Sequence, residues 1–186
     1  MYLISIYFDE KTDKRIRSYM TQIAKHTENT AMIQGEVPPH LTISAFGTDS
    51  EEEAREIFYK VSRNVKPGNL QWAAVGAFLP QVIYLSPVLN EYLQNVSEIT
   101  YKEVVSAKNV SLKGNYRPYG WMPHTTLAKH LTKEQMTKAF EVLQGQFGPF
   151  EGCVTKIGLA RTNPYKDIEL LELKKIKKGV DKTKCL

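Results

Sequence analysis

Histidine is scarce in this chain, at four of 186 residues. Cysteine is scarcer: Cys153 and Cys185 are too few for a disulfide framework. No run of about 18 apolar residues occurs, and the N-terminus carries no basic stretch, so neither a membrane span nor a signal peptide is expected. Glycine-rich phosphate loops are missing, which argues against an ATP-dependent ligase or kinase. H-E-x-x-H and paired cysteines are missing too, so no metal site is expected. A cytoplasmic protein with no cofactor, no obligate protein partner and a monomeric state is the default. At 42% hydrophobic, the chain is long enough to bury a good core.

Two of the four histidines fall in one repeated hexamer. Pro39-His40-Leu41-Thr42-Ile43-Ser44 returns 84 residues later as Pro123-His124-Thr125-Thr126-Leu127-Ala128. In an extended strand, residues two apart share a face, about 7 Å from each other. His40 and Thr42 therefore share one face, as do His124 and Thr126, while Leu41, Ile43, Thr125 and Leu127 turn toward a core. Two imidazoles with two hydroxyls outline an acid–base pair with donors for an oxyanion.

The surroundings of the hexamers repeat as well. Ser50-Glu51-Glu52-Glu53 and Thr132-Lys133-Glu134-Gln135 both read as capping boxes. The helices they open carry apolar faces at Ala54, Ile57, Phe58, Val61 and Val65, and at Met136, Ala139, Phe140, Leu143 and Phe147. Upstream, strands at 2–8 and 82–88 each precede a further amphipathic helix. The order strand, helix, His-strand, helix, strand thus occurs twice, over about 1–80 and 81–161. A last strand at 165–173 has no counterpart in the first copy. We expect a single domain over 1–173 made of two similar lobes, whose pseudo-symmetry brings the His-strands together at the seam.

The formal net charge of +5 is misleading. The tail 174–186 holds six lysines against one aspartate and accounts for the whole excess, so the body is neutral. A solvated end is the simpler account of it. More informative is 104–133, which has no acidic residue but contains Lys113, Arg117 and Lys129, with Tyr119 and Trp121 between them. Cations for phosphates and rings for bases suit a nucleotide or an RNA end, although Trp121 and Tyr119 could equally pack the loop onto a sheet. His26 and His130 are expected to be solvated, and Cys153 to be core.

His40-Leu41-Thr42-Ile43 and His124-Thr125-Thr126-Leu127 fit the H-x-T-x signature, and the chain resembles the 2H phosphoesterase superfamily over nearly its whole length. Its closer likeness is to the bacterial branch of 2′-5′ RNA ligases and RNA 2′,3′-cyclic phosphodiesterases. The resemblance implies an α+β fold of two lobes, each an antiparallel sheet with two helices, with a catalytic cleft between them. It departs from that branch in two places: Tyr2-Leu3-Ile4-Ser5 lacks an arginine common there, and Lys129 stands where an arginine is usual. Lysine neutralises a phosphate but cannot form a bidentate fork.

Opening a 2′,3′-cyclic phosphate needs a base for water and an acid for the departing ribose oxygen. Histidine, titrating near 6.5, serves both. Thr42 and Thr126 would hold the non-bridging oxygens. The expected function is a metal-independent phosphoesterase acting on the 2′,3′-cyclic phosphate or 2′-5′ linkages of RNA ends or small nucleotides. The alternative is a nucleotide-binding module of the same fold with little catalysis.

Overall fold

β1 (Tyr2–Phe8) alternates Ile4, Ile6 and Phe8, which are buried in the core, with Ser5 and Tyr7 on its other side. This computed structural model describes residues 1–35, 37–162 and 164–174. Asp9 ends the strand and caps α1 (Glu10–Thr27), its carboxylate accepting from the Thr12 amide at 3.0 Å. The helix buries Ile16, Met20 and Ile23. A short turn of helix, α2 (Ala31–Gln34), was not legible in the sequence. β2 (His40–Gly47) carries the first hexamer, and α3 (Glu51–Asn64) follows, capped by Ser50. Here the capping box is incomplete. The Ser50 hydroxyl accepts from the Glu53 amide, but the Glu53 carboxylate turns to the Thr48 hydroxyl.

The second copy follows the same order. After β3 (Gly68–Phe78) come β4 (Val82–Pro87), α4 (Glu91–Val105), β6 (Thr125–Ala128), α5 (Lys133–Gln146) and β7 (Phe150–Arg161). A three-residue strand, β5 (Ser111–Lys113), lies between α4 and β6, and β8 (Lys166–Glu172) falls within the expected last strand. The Thr132 capping box on α5 is complete with Gln135. Phe140, expected on the buried face of α5, is instead 39% exposed, while Met136, Ala139 and Leu143 are buried there. Residues 175–186 of the basic tail lie outside the described residues.

The fold is α+β, and every strand pair among the described residues is antiparallel. The strands form one path, β5-β2-β1-β7-β3-β4-β6, with β8 on β7. The two copies are intertwined rather than merely placed side by side. The third strand of each pairs with the first strand of the other: β7 with β1, and β3 with β4. The helices are exchanged too, with α1 packing on α5 and β6, and α4 on α3 and β2. Because each copy leaves apolar surface that only the other covers, neither half is expected to fold alone. β2 and β6 meet across this arrangement, as the repeat predicts.

Candidate active site

Proline sets both histidines. Pro39 and Pro123 are buried, and each fixes the backbone just before the imidazole. The ring then folds back onto the carbonyl two residues earlier: His40 Nδ1 lies 2.8 Å from the Pro38 oxygen, and His124 Nδ1 2.9 Å from the Met122 oxygen. A carbonyl only accepts, so Nδ1 carries the proton in both rings and Nε2 is left for chemistry.

The strands keep the faces expected of them. Leu41, Ile43, Thr125 and Leu127 are buried, while His40, Thr42, His124 and Thr126 are half-buried on the other face. Both hexamers also contain a β-bulge at the same place. Ser5 and Ile4 pair with Thr42 and Ser44, skipping Ile43; Tyr84 and Ile83 pair with Thr126 and Ala128, skipping Leu127. A bulge sharpens the local twist and re-aims neighbouring side chains. Here it falls immediately after each threonine.

The flanking strands add groups that the hexamers do not show. Ser5 Oγ lies 3.3 Å from Thr42 Oγ1, and the Tyr7 ring lies 6.0 Å from that of His40. Around the second hexamer, Tyr84 of β4 is 5.4 Å from the His124 ring and Phe78 of β3 stands edge-on to it at 4.8 Å. The signal was present as polar alternation, Ser5 and Tyr7 in β1 and Tyr84 and Ser86 in β4, but it carries meaning only once the strands are paired. Gly158 and Gly76 make room for the phenols. A Cβ would lie 2.8 Å from the Tyr7 ring at Gly158 and 2.5 Å from that of Tyr84 at Gly76.

Burial pushes His40 below its ordinary pKa, with the His124 imidazole and the Lys129 ammonium acting in the same direction. The Pro38 carbonyl and the Asp167 carboxylate oppose this. His124 is also lowered by burial, against the pull of the Met122 carbonyl. A charge on His124 also disfavours protonation of His40, so single protonation of the pair is favoured.

Lys129 follows β6 in the second copy, half-buried, and its charge acts against protonation of His40. Its backbone carbonyl accepts from Asn29 Nδ2 at 3.1 Å, tying it to the segment after α1. The remaining sequence candidates stand apart. Trp121 is a correction: it is 6% exposed and part of the core, so it offers no face to a base. Tyr119 is 80% exposed and lies over α4 beside Glu91 and Glu98. Lys113 pairs with Ala45 on β5, farther along β2 than Thr42, and Arg117 is exposed in the following loop. Cys153 is buried, and His26 and His130 are exposed. Among the described residues no three His, Cys, Asp or Glu side chains converge as a metal site, and no helix is long and apolar enough to cross a membrane.

Paired H-x-T-x strands on an intertwined antiparallel fold fit the 2H phosphoesterase superfamily. A profile of the 2′-5′ RNA ligase superfamily matches residues 9–165, and the chain belongs to that superfamily. The fold is shared with E. coli LigT crystallised with 3′-AMP, at 16% identity and a TM-score of 0.63, over 94% of this chain and 98% of that one. It is shared also with the TT0787 protein of Thermus thermophilus, at 17% identity and 0.57, over 92% and 97%. A crystal structure described only as a phosphoesterase aligns at 17% and 0.63, over 94% and 98%. No curated protein sequence matches the chain.

Proposed function

We propose that the protein hydrolyses 2′,3′-cyclic phosphates of RNA ends or small nucleotides, using His40 and His124 as its acid and base and no metal. The observation that carries this reading is the matched pair of bonds from Nδ1 to the Pro38 and Met122 carbonyls. They fix one tautomer in both rings and leave two Nε2 atoms, one to take a proton and one to give it. A site built only for binding would have no use for this match.

In the reaction, one Nε2 removes a proton from water as the water oxygen bonds to phosphorus. The bond from phosphorus to one ribose oxygen breaks in line, and Nε2–H of the other imidazole protonates that oxygen. The product is a ribose phosphomonoester with a free neighbouring hydroxyl, and the enzyme has exchanged one proton for another. An RNA 5′-hydroxyl in place of water would form a phosphodiester, so the same groups can serve 2′-5′ linkages. Thr42 and Thr126 donate to the non-bridging oxygens as their charge grows, and Lys129 balances it. That E. coli LigT was crystallised with 3′-AMP is in keeping with a nucleotide in such a cleft.

The test is incubation with a 2′,3′-cyclic mononucleotide and a cyclic-phosphate-ended oligonucleotide, in EDTA, with the products identified. A phosphomonoester from either supports the reading. No turnover of either, or turnover abolished by EDTA, overturns it.

A further inference from the structure

The two histidines are held alike but are not placed alike, and the difference comes from β8. The edge of β7 is shared: β3 occupies it over Phe150–Val154, and β8 takes over from Lys156 to Arg161. In the other copy β3 runs past Trp72 with β4 on one edge, and no strand among the described residues fills the place corresponding to β8. β8 therefore extends the sheet beyond β1 and β7 on the side of β2 that carries His40, and among the described residues His124 has no counterpart of it.

The connection from β8 to His40 can be followed residue by residue. Tyr7 pairs with both His40 and Lys156, so these side chains share the face of the sheet that carries Ser5 and Thr42. The Tyr7 ring crosses β7 over Gly158, the one residue type that lets it lie so close, and Leu170 of β8 touches the same spot. Its hydroxyl meets Tyr165, whose own hydroxyl donates to Asp167 Oδ1 at 2.6 Å. Asp167 pairs with Ala160, which pairs with Leu3, on this same face. Burial, with the Asp167 charge, raises Tyr7 to about 12, so the phenol stays protonated and remains a donor.

We propose that Asp167 is a positioning residue for His40 alone: with Tyr165 it braces Tyr7 against the imidazole and sets a carboxylate on that side of the cleft, which makes the two histidines unequal. The groups on the His40 side are Tyr7 from β1, His124 and Lys129 from the other copy, Lys156 from β7, Tyr165 from the turn before β8, and Asp167 from β8. Lys129 and His124 oppose an imidazolium at His40, and Asp167 is the carboxylate that favours one. Glu169 on the same strand is turned away to Arg55 of α3. Lys156 is engaged with Glu172 at 3.2 Å. An unequal pair suits one direction of proton flow. The catalytic consequence rests on the phosphoesterase reading; the electrostatic one does not.

The experiment follows the imidazole resonances of the full chain by NMR through pH 4.5–8.5. Asp167→Asn should lower the His40 pKa by about half a unit, the size expected of a partly screened carboxylate, and leave His124 in place. Asp167→Glu should restore most of the shift, and Glu169→Gln, which removes a carboxylate from the other face, should move neither ring. In turnover of a 2′,3′-cyclic nucleotide, Asp167→Asn should displace one limb of the pH profile only. The proposal is overturned if Asp167→Asn leaves His40 where it was, or moves both histidines equally, as a diffuse field would. Absence of turnover in the unaltered protein would refute the phosphoesterase reading and leave the NMR result to decide the proposal.

Discussion

The Trp72 indole donates from Nε1 to the Thr125 hydroxyl at 3.4 Å, on the side of β6 opposite Thr126. Both groups are buried, with Thr125 and Trp72 each fully shielded from water. Adjacent threonines in one hexamer therefore have different work. Thr125→Val keeps the shape but leaves a buried N–H unpaired, costing about 1–3 kcal/mol of stability with little change in turnover. Thr126→Ala should do the reverse, lowering kcat by about 10²-fold with near-normal stability. Thermal melts beside kinetics separate the two, and equal catalytic damage at both positions would refute the strand register.

The pH profile should lie on the acid side. Both imidazoles are held below their ordinary value of about 6.5 by burial. A bell in kcat/KM requires one ring protonated and the other neutral, so its optimum is expected below pH 6.5. His40→Ala and His124→Ala should each cost about 10²–10⁴-fold in rate. A monotonic profile, or near-normal turnover in either variant, contradicts a paired acid and base.

Stability should depend on the same groups. A depressed pKa in the folded state means that, just below pH 6.5, the unfolded chain binds more protons than the folded one. Stability then rises with pH across this window and is lost as pH falls from about 6.5 toward the folded value. Above 6.5 both states are neutral at these rings and the slope vanishes. His40→Gln cannot titrate, so its melting temperature should fall less between pH 7.5 and pH 5 than that of the unaltered protein. Parallel curves for the two proteins would show that His40 is not held neutral by burial.

The repeated hexamer made the faces of β2 and β6 legible because a period of two is a local property, and the amphipathic helices were legible for the same reason. The exchange of β3 and β7 between copies was not. Pairing partners depend on which apolar surface each copy leaves uncovered, and no short window of sequence records that. The carbonyls of Pro38 and Met122 were hidden since they belong to the backbone, although the prolines that aim them were in view. Tyr7 and Tyr84 became site residues only through neighbouring strands. Trp121 misled because an aromatic among cations looks alike in sequence whether it packs inward or faces solvent. Its burial predicts that Trp121→Ala costs about 3–5 kcal/mol rather than a specific loss of base stacking.

Lys129 joins the second copy electrostatically to the histidine of the first. Its charge opposes protonation of His40, so Lys129→Gln should raise the His40 pKa. A charge-assisted contact to phosphate is worth about 1.5–3 kcal/mol, so the same change should weaken phosphate-ester binding by about 10- to 100-fold. The Asn29 bond holds the Lys129 backbone carbonyl, not the ammonium, so the chain should keep its path and stability. An unchanged His40 titration together with unchanged KM would remove Lys129 from the site.

Whether the substrate is an RNA chain or a small nucleotide turns on Lys113 and Arg117. Lys113 is on β5 opposite Ala45, and Arg117 is exposed in the loop beyond it. Lys113 comes close to Gly47 at the far end of β2, so it flanks the strand that begins with His40. A chain leaving the cleft along β2 would pass it. Neutralising both should weaken binding of a cyclic-phosphate-ended oligonucleotide and flatten its salt dependence by about one unit of slope per lost phosphate contact. Mononucleotide turnover should hardly change, because it would rely on His40, His124, Thr42 and Thr126 alone. Tyr119→Ala should affect neither, since that ring rests over α4. If the double variant leaves oligonucleotide binding and its salt slope untouched, the chain does not run along β2, and a small cyclic nucleotide becomes the better-supported substrate.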